Sequence, residues 1–129
     1  MTREDYVREF QVAMGQDVDV DASEVINFDL SQMRFRLIEE ELRELKSAAY
    51  WGESLTKKRL CNLLKELADL QYVISGFAVT YGLPLEEAFL LVHESNMSKL
   101  GDDGKPIYRE DGKVLKGPNY KAPDLRGLI

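Results

Sequence analysis

The stretch LIEEELREL, residues 37–45, places four glutamates among apolar residues within nine positions. Glu40 and Glu44 are four residues apart, and Glu41 and Glu44 are three apart, spacings that bring side chains to one face of a helix. The segment therefore predicts a helix that carries several carboxylates beside its apolar stripe. This pattern decides the fold, because a half-buried face loaded with like charges needs a neighbouring element that compensates them.

A second stretch, LLKELADLQYV at residues 63–73, repeats the pattern with Glu66 and Asp69 three residues apart. If the two helices pack antiparallel, up to five carboxylates face one another, and a divalent ion would relieve their repulsion. The candidate ligands are hard oxygens without His or Cys, which favours Mg²⁺, Mn²⁺ or Ca²⁺ over Zn²⁺. Such a site suits phosphoryl chemistry, in which metals clamp oxygens and activate water.

Two other interpretations of the glutamates stay open at this point. Glutamate is a good helix former and a charge run is often a solvated face, so Glu39 is expected to pair with Arg43 at the surface. A di-iron bundle would need Glu-x-x-His motifs. His93 is the one histidine, and the residue three positions before it is Leu90, which disfavours the di-iron interpretation.

Apolar residues at helical spacing predict an all-α protein. The predicted helices span about residues 2–14, 30–50, 57–81 and 84–99, with an acidic linker at 16–29. Thr2 and Asp5 resemble a capping box for the first helix, and Asp29 or Ser31 would cap the second. Gly82 stands where a glycine commonly ends a helix, after the third.

Short connections between the longer helices favour an antiparallel bundle of about four helices within one domain over residues 1–129. The bundle would occupy about residues 1–100. The Gly- and Pro-rich tail, about residues 101–129, has a D-G pair that predicts a small hairpin. The apolar stripe expected to face inward on the third helix comprises Leu60, Leu63, Leu67, Leu70, Ile74, Phe77 and Ala78.

The composition argues against several classes of function. The net charge of −6 and the pI of 4.9 argue against binding to a nucleic-acid polymer or a membrane surface, which require a basic footprint. No apolar run is long enough for a transmembrane helix, and the charged start, MTREDYVREF, lacks the apolar core of a signal peptide. We therefore expect a cytoplasmic protein.

Polar residues replace apolar ones at the end of the fourth helix, where the inward stripe continues through Asn96 to Lys99. Asn96 can donate and accept hydrogen bonds, and Lys99 suits a phosphate, so both would meet an anionic ligand near the acidic cluster. The alternative is that they only end the helix. The tail could likewise close over the site and bring Lys113 or Lys116 to a phosphate, or form an oligomer contact or a free end.

The two acidic motifs, in this order, resemble the EExxE…ExxD signature of the all-α nucleoside triphosphate pyrophosphatases. That superfamily includes the MazG-like proteins, the dimeric dUTPases and phosphoribosyl-ATP pyrophosphatase. Residues 65–100, with the segment Val-His-x-x-Asn-x-Ser-Lys at 92–99, are similar to the helix pair of the MazG-like branch, and residues 111–129 are similar to its tail. The resemblance implies Mg²⁺-dependent hydrolysis between the α and β phosphates, which yields a nucleoside monophosphate and pyrophosphate.

The resemblance also assigns roles to residues of this sequence. The implied metal ligands are Glu41, Glu44, Glu66 and Asp69. Glu40 would be a further ligand or the base that orients the attacking water. The implied contacts to sugar and phosphates are Asn96, Lys99, Lys113, Lys116 and Tyr120. A homodimer or a dimer of dimers is implied as well, because a short helical set completes its bundle and its pocket with a partner chain.

The base has candidate contacts in Phe10 and Gln11 on the first helix and in Trp51 after the second, with core packing or surface exposure as the alternative for each. The resemblance thus implies a pyrophosphohydrolase that uses Mg²⁺, with Mn²⁺ as a substitute, on non-standard or surplus (deoxy)nucleotides such as dUTP. Phosphoribosyl-ATP as the substrate is one alternative. A non-catalytic helical module that binds metal is another.

Overall fold

The chain is all-helical in the part that the computed structural model describes, residues 1–50, 52 and 54–129, where no strand occurs. The helices are α1 (Arg3–Ala13), α2 (Phe28–Tyr50), α3 (Lys57–Thr80) and α4 (Leu85–Met97), with 3₁₀ turns at Ala22–Ile26 and Arg126–Leu128. The predicted all-α class is confirmed. None of these helices is both long and apolar enough to cross a membrane.

The chain divides into two compact units, residues 1–83 and residues 84–129. The first unit holds α1, α2 and α3, and the second holds α4 and the tail. In the first unit, α3 packs against both α1 and α2. The prediction of one domain over residues 1–129 stays a prediction.

Side-chain caps and glycines set the ends of α1. Thr2 Oγ1 accepts a hydrogen bond from the backbone N–H of Asp5 at 3.2 Å, and the Asp5 carboxylate accepts one from the N–H of Thr2 at 2.8 Å. This is the capping box that the sequence predicts. The helix ends before Gly15, whose φ of 69° lies in the left-handed region that favours glycine.

The start of α2 differs from its prediction. The helix begins at Phe28, and Asn27 Oδ1 accepts a hydrogen bond from the N–H of Asp29 at 3.3 Å, as a capping side chain does. Asp29 and Ser31 both lie inside the helix, so the prediction that one of them caps it is wrong. Ser31 is buried, and its hydroxyl donates to the carbonyl oxygen of Asn27 at 3.0 Å.

The segment predicted as a linker, residues 16–29, is fixed to the end of α3 by its backbone. The N–H groups of Asp19 and Val20 donate to the carbonyl oxygens of Val79 and Thr80 at 3.0 and 2.8 Å. Gly82, with φ of 62°, ends α3 as predicted. These bonds satisfy carbonyl groups that a helix C-terminus leaves without partners.

α3 buries only Ala78 of the stripe that is predicted to face inward, and Leu63, Leu70 and Phe77 are half-buried. Its buried residues are Glu66, Ser75, Gly76, Ala78, Val79 and Thr80. Leu60, Leu67 and Ile74, predicted to face inward, are 47%, 51% and 38% exposed. The inward expectation is therefore wrong for these three, because α1 and α2 pack against the small and polar face of α3 and leave its leucine stripe at the surface of the chain.

In the second unit the tail folds back on the end of α4. Ser95 is buried, and its hydroxyl donates to the carbonyl oxygen of Lys121 at 2.8 Å. The N–H of Gly117 donates to the carbonyl oxygen of Lys99 at 2.9 Å. A Cβ at position 117 would stand 2.6 Å from that oxygen, so this approach requires glycine. The turn after residue 107 is closed by an antiparallel bridge between Tyr108 and Val114.

Candidate functional site

The packing of α2 on α3 brings three of the predicted acidic residues together. Glu41 from α2 and Glu66 and Asp69 from α3 each offer a carboxylate oxygen, and these oxygens all lie within 4.8 Å of one another. The lining of two cavities shows that α2 and α3 run antiparallel. Arg34 and Gly76 line one cavity, and in the other cavity residues that follow Arg34 on α2 meet residues that precede Gly76 on α3. We call Glu41, Glu66 and Asp69 the acidic cluster.

Two oxygens of the acidic cluster are buried without a hydrogen-bond partner among the described residues, Oε2 of Glu41 and Oε2 of Glu66. Glu66 is only 8% exposed. A buried carboxylate oxygen that lacks a partner is costly, and a hard divalent cation supplies the missing partner. The three residues therefore fit a magnesium-type ion by their chemistry and by their unsatisfied atoms.

Lys65 supplies a positive charge next to the acidic cluster. Its Nζ lies 2.8 Å from Asp69 Oδ2 and 3.5 Å from Glu66 Oε1. The lysine side chain is 64% exposed, so this pair is screened by water and contributes little. Lys65 thus leaves most of the repulsion within the cluster for a bound cation to relieve.

Burial raises the pKa of Glu41, and the charges of Glu44, Asp69 and Glu66 raise that pKa further, while Lys65 lowers it. Burial and the three neighbouring carboxylates disfavour the ionised form of Glu41, whereas Lys65 favours it. A cation bound at the cluster would reverse the charge effect and favour the carboxylate.

This shift predicts a pH dependence for the metal-free protein. Because the pKa of Glu41 is higher in the folded chain than its unfolded value of about 4.3, ionisation of Glu41 lowers the free energy of unfolding as pH rises through the folded pKa. We expect Glu41→Gln to be more stable than wild type near pH 7, with a difference that disappears toward pH ~4. Urea unfolding in EDTA measures it. An equal trend in Glu39→Gln, on the exposed side of α2, would contradict this expectation.

Glu44 and Glu40 lie on α2 outside the acidic cluster, and both are exposed. Glu44 is near enough to raise the pKa of Glu41, and it lines a cavity together with Glu66. Its role as a ligand, and the role of Glu40 as ligand or base, stay predictions. The predicted ion pair between Glu39 and Arg43 is absent among the described residues.

A cavity of about 690 Å³ adjoins the cluster on one side. It is lined by Arg43, Glu44, Ser47, Ala48, Arg59, Asn62 and Glu66. Two arginines thus line this cavity together with Glu44 and Glu66, and guanidinium groups are well suited to phosphate oxygens. The Arg59 guanidinium also donates a hydrogen bond to the carbonyl oxygen of Ser54. We call this space the arginine cavity.

A second cavity, of about 290 Å³, lies between α1, α2 and α3. It is lined by Phe10, Gln11, Gln16, Arg34, Leu37, Glu41, Asp69, Tyr72, Val73 and Gly76. Glu41 and Asp69 belong to both this cavity and the acidic cluster. We call this space the Gln11 cavity. The third base candidate, Trp51, lies outside the described residues.

The predicted sugar and phosphate contacts all lie in the second unit. Asn96 is exposed in α4, and Lys99 is half-buried just after it. Lys113 and Lys116 are exposed, and the Lys116 ammonium lies 4.7 Å from the ring centre of Tyr120. Their roles toward a substrate stay predictions.

Sequence reasoning missed the cationic residues of both cavities, although helical spacing could have found them. Arg34 lies three residues before Leu37 and seven before Glu41, so it extends the inward stripe of α2 by one turn. Arg59 and Asn62 precede Glu66 by seven and four residues on α3, with the same consequence. Attention to the carboxylates alone left these positions unassigned.

Antiparallel helices that enclose a carboxylate cluster are typical of the all-α nucleoside triphosphate pyrophosphatases, the MazG-like superfamily. The family model described as phosphoribosyl-ATP pyrophosphohydrolase matches residues 7–96, a span that includes the acidic cluster and the lining of both cavities. The chain belongs to this family of hydrolases, which act on acid anhydrides. No curated protein matches the chain.

Proposed function

We propose that the chain is a Mg²⁺-dependent pyrophosphohydrolase that cleaves a nucleoside triphosphate substrate between its α and β phosphates. The observation that supports this most directly is the acidic cluster with its two buried, unpartnered carboxylate oxygens. When bound there, Mg²⁺ neutralises phosphate charge and lowers the pKa of a water molecule. Mn²⁺, which also accepts hard oxygen ligands, is the expected substitute.

In this proposal, the position of each residue of the first unit determines whether it binds the metal ion, the pyrophosphate or the nucleoside. Glu41, Glu66 and Asp69 hold the ion, with Glu44 as a further ligand from the next turn of α2. Arg43 and Arg59 would meet the leaving pyrophosphate in the arginine cavity, where their charges offset the charge that develops on it. The α phosphate would lie at the cluster, and the nucleoside would extend toward the Gln11 cavity.

Membership in the phosphoribosyl-ATP pyrophosphohydrolase family favours phosphoribosyl-ATP as the substrate over dUTP, the first expectation from the sequence. A simple (deoxy)nucleoside triphosphate is the second candidate, and the Gln11 cavity supports it. At about 290 Å³, this cavity is just smaller than the range of about 300–1,000 Å³ for small-molecule sites, and it offers room for one base. We also propose that the protein acts in the cytoplasm, as a homodimer or a dimer of dimers.

Pyrophosphate release tests the proposal. We expect release from at least one member of a panel of NTPs, dNTPs and phosphoribosyl-ATP in the presence of Mg²⁺, and none in EDTA. Monophosphate must appear in equal amount, because hydrolysis between the α and β phosphates yields one of each. Release of orthophosphate instead, or turnover that survives EDTA, would contradict the proposed reaction.

A further inference from the structure

The Gln11 cavity contains two buried polar groups that the chain itself leaves without partners. Gln11 is 1% exposed and Arg34 is 3% exposed. Oε1 of Gln11 and Nε of Arg34 are both buried and make no hydrogen bond among the described residues. Native proteins satisfy nearly all such atoms, so a pair of them in one cavity points to a ligand that supplies the complementary atoms.

The direction of the Gln11 amide is determined by its neighbours. Nε2 donates to the carbonyl oxygen of Asp17 at 2.8 Å and to Oγ1 of Thr80 at 3.3 Å. The Thr80 hydroxyl donates its hydrogen bond to the carbonyl oxygen of Gly76 at 2.7 Å, so it can only accept a hydrogen bond from Gln11. A flipped amide would place Oε1 against two acceptors. Oε1 is therefore a fixed acceptor that needs an N–H from a ligand.

Arg34 is a buried cation with too few partners. Its side chain makes a hydrogen bond to Gln16 Oε1 at 3.4 Å, and no carboxylate lies within ion-pair distance of it among the described residues. Burial lowers the pKa of Arg34, and the negative charge of Asp17 only partly offsets this effect. A guanidinium has five N–H donors, so several remain for acceptors in the cavity.

Gly76 brings the two groups side by side. A Cβ at this position would lie 2.9 Å from Gln11 Oε1 and 3.3 Å from Arg34 Nη1, so both atoms border the bare backbone of Gly76. The acceptor and the donors therefore stand next to each other at one wall of the cavity. A ligand that presents an N–H group next to a hydrogen-bond acceptor would pair with both, the N–H with Gln11 Oε1 and the acceptor with the Arg34 N–H groups.

The rest of the lining favours a neutral base over a second phosphate. Phe10 packs edge-on against Tyr72, with ring centres 5.5 Å apart, and both rings border the cavity. Arg34 is the one cationic residue among the described residues of the lining, whereas Glu41 and Asp69 would repel a phosphate. A carbonyl oxygen accepts two hydrogen bonds and a ring nitrogen one, so a carbonyl satisfies more of the Arg34 donors.

We propose that Arg34 and Gln11 select a base that presents a carbonyl oxygen beside a ring N–H, as uracil and hypoxanthine do. A base that has an amino group in place of this carbonyl oxygen would be disfavoured. This inference rests on the proposed function, and it favours an oxo-base (deoxy)nucleoside triphosphate over phosphoribosyl-ATP.

Binding of non-hydrolysable nucleotides tests the inference without turnover. The probes are the α,β-imido analogues of dUTP and dCTP and of dITP and dATP, two pairs that differ at one oxo or amino group. Calorimetry with Mg²⁺ is expected to show each oxo analogue binding about 10-fold more tightly or better, since a hydrogen bond to a charged group contributes about that much. Equal affinities within both pairs would overturn the inference.

The variant Arg34→Met separates recognition from a structural role. In this variant the ratio of affinities for the oxo and amino analogues should fall to near one. Its Tm should equal or exceed that of wild type, because an apolar chain of similar length replaces a buried cation that lacks an ion-pair partner among the described residues. Arg36→Met, at an exposed position two residues along α2, is the matched control and should change neither. A preference that persists in Arg34→Met would overturn the inference.

Arg34→Lys serves as the test if Arg34→Met does not fold. It retains the charge but lacks the Nε donor, so it should reduce the preference for oxo over amino analogues. An unchanged preference in Arg34→Lys overturns the inference. If no nucleotide releases pyrophosphate, the proposed function fails, yet the affinities of the imido analogues still test the cavity. Turnover of phosphoribosyl-ATP above all oxo-base nucleotides supports the proposed function and overturns the base selection.

Discussion

Glu66→Gln is expected to abolish pyrophosphate release while the protein stays folded. Glu66 is 8% exposed, and its Oε2 has no hydrogen-bond partner among the described residues, so a bound cation would supply one. Loss of one charged ligand removes several kcal/mol of charge stabilisation, so we expect turnover to fall at least about a hundredfold. In the absence of metal, the variant should match or exceed wild type in Tm, because a like charge leaves a half-buried cluster.

Added Mg²⁺ provides the second readout for Glu66→Gln. A ligand that binds only the folded state raises Tm, so wild type should gain stability with Mg²⁺ and Glu66→Gln should gain much less. Glu39→Gln, an exposed glutamate on α2, should behave as wild type in both assays. If Glu66→Gln instead lost stability in EDTA and kept its turnover, the glutamate would be structural and the assignment of the cluster would fail.

The sequence predicted the helices well because their signals are local. Spacing, the Thr2 and Asp5 capping box and Gly82 depend on residues within one or two turns of each other. The start of α2 was misplaced because Asn27, Asp29 and Ser31 can all cap a helix, and only the surrounding chain decides among them.

The acidic cluster could be anticipated because its spacing on α2 and α3 leaves few ways to avoid a meeting of carboxylates. Phe10 and Gln11 were predicted as base contacts, and helical spacing could have placed Arg34 on the same inward face as Glu41. The Gln11 cavity itself could not be predicted, since it depends on non-local contacts. Gln11 meets Thr80 across a separation of 69 residues, and Gly76 matters only because Gln11 and Arg34 approach it. A lone Gln or Arg in an amphipathic helix carries no signal that it will be buried without partners.

The inward face of α3 was misjudged for a reason that bears on assembly. Hydrophobic spacing predicts that the leucine stripe is buried, but Leu60, Leu67 and Ile74 of that stripe are exposed in the described chain. Val7, Ala78, Val79 and Tyr81 are the buried hydrophobic residues of the described part, a small core for a chain of this length. A groove of about 640 Å³ between α1 and α3 is lined largely by apolar side chains, including Tyr6, Leu64, Leu67, Leu70 and Ile74.

A second copy of the chain is the occupant that we expect on this groove, so Leu67→Asp should dissociate the assembly. Leu67 is 51% exposed, and a carboxylate buried in an apolar interface would cost several kcal/mol. Light scattering should give wild type a mass that is a multiple of 14.8 kDa, and should give Leu67→Asp a mass near 14.8 kDa. Val12→Asp, at a position that is 61% exposed on α1 and outside the groove, should leave the mass unchanged. A wild-type mass of one chain would rule out this use of the groove, and the small core would then have to suffice for folding alone.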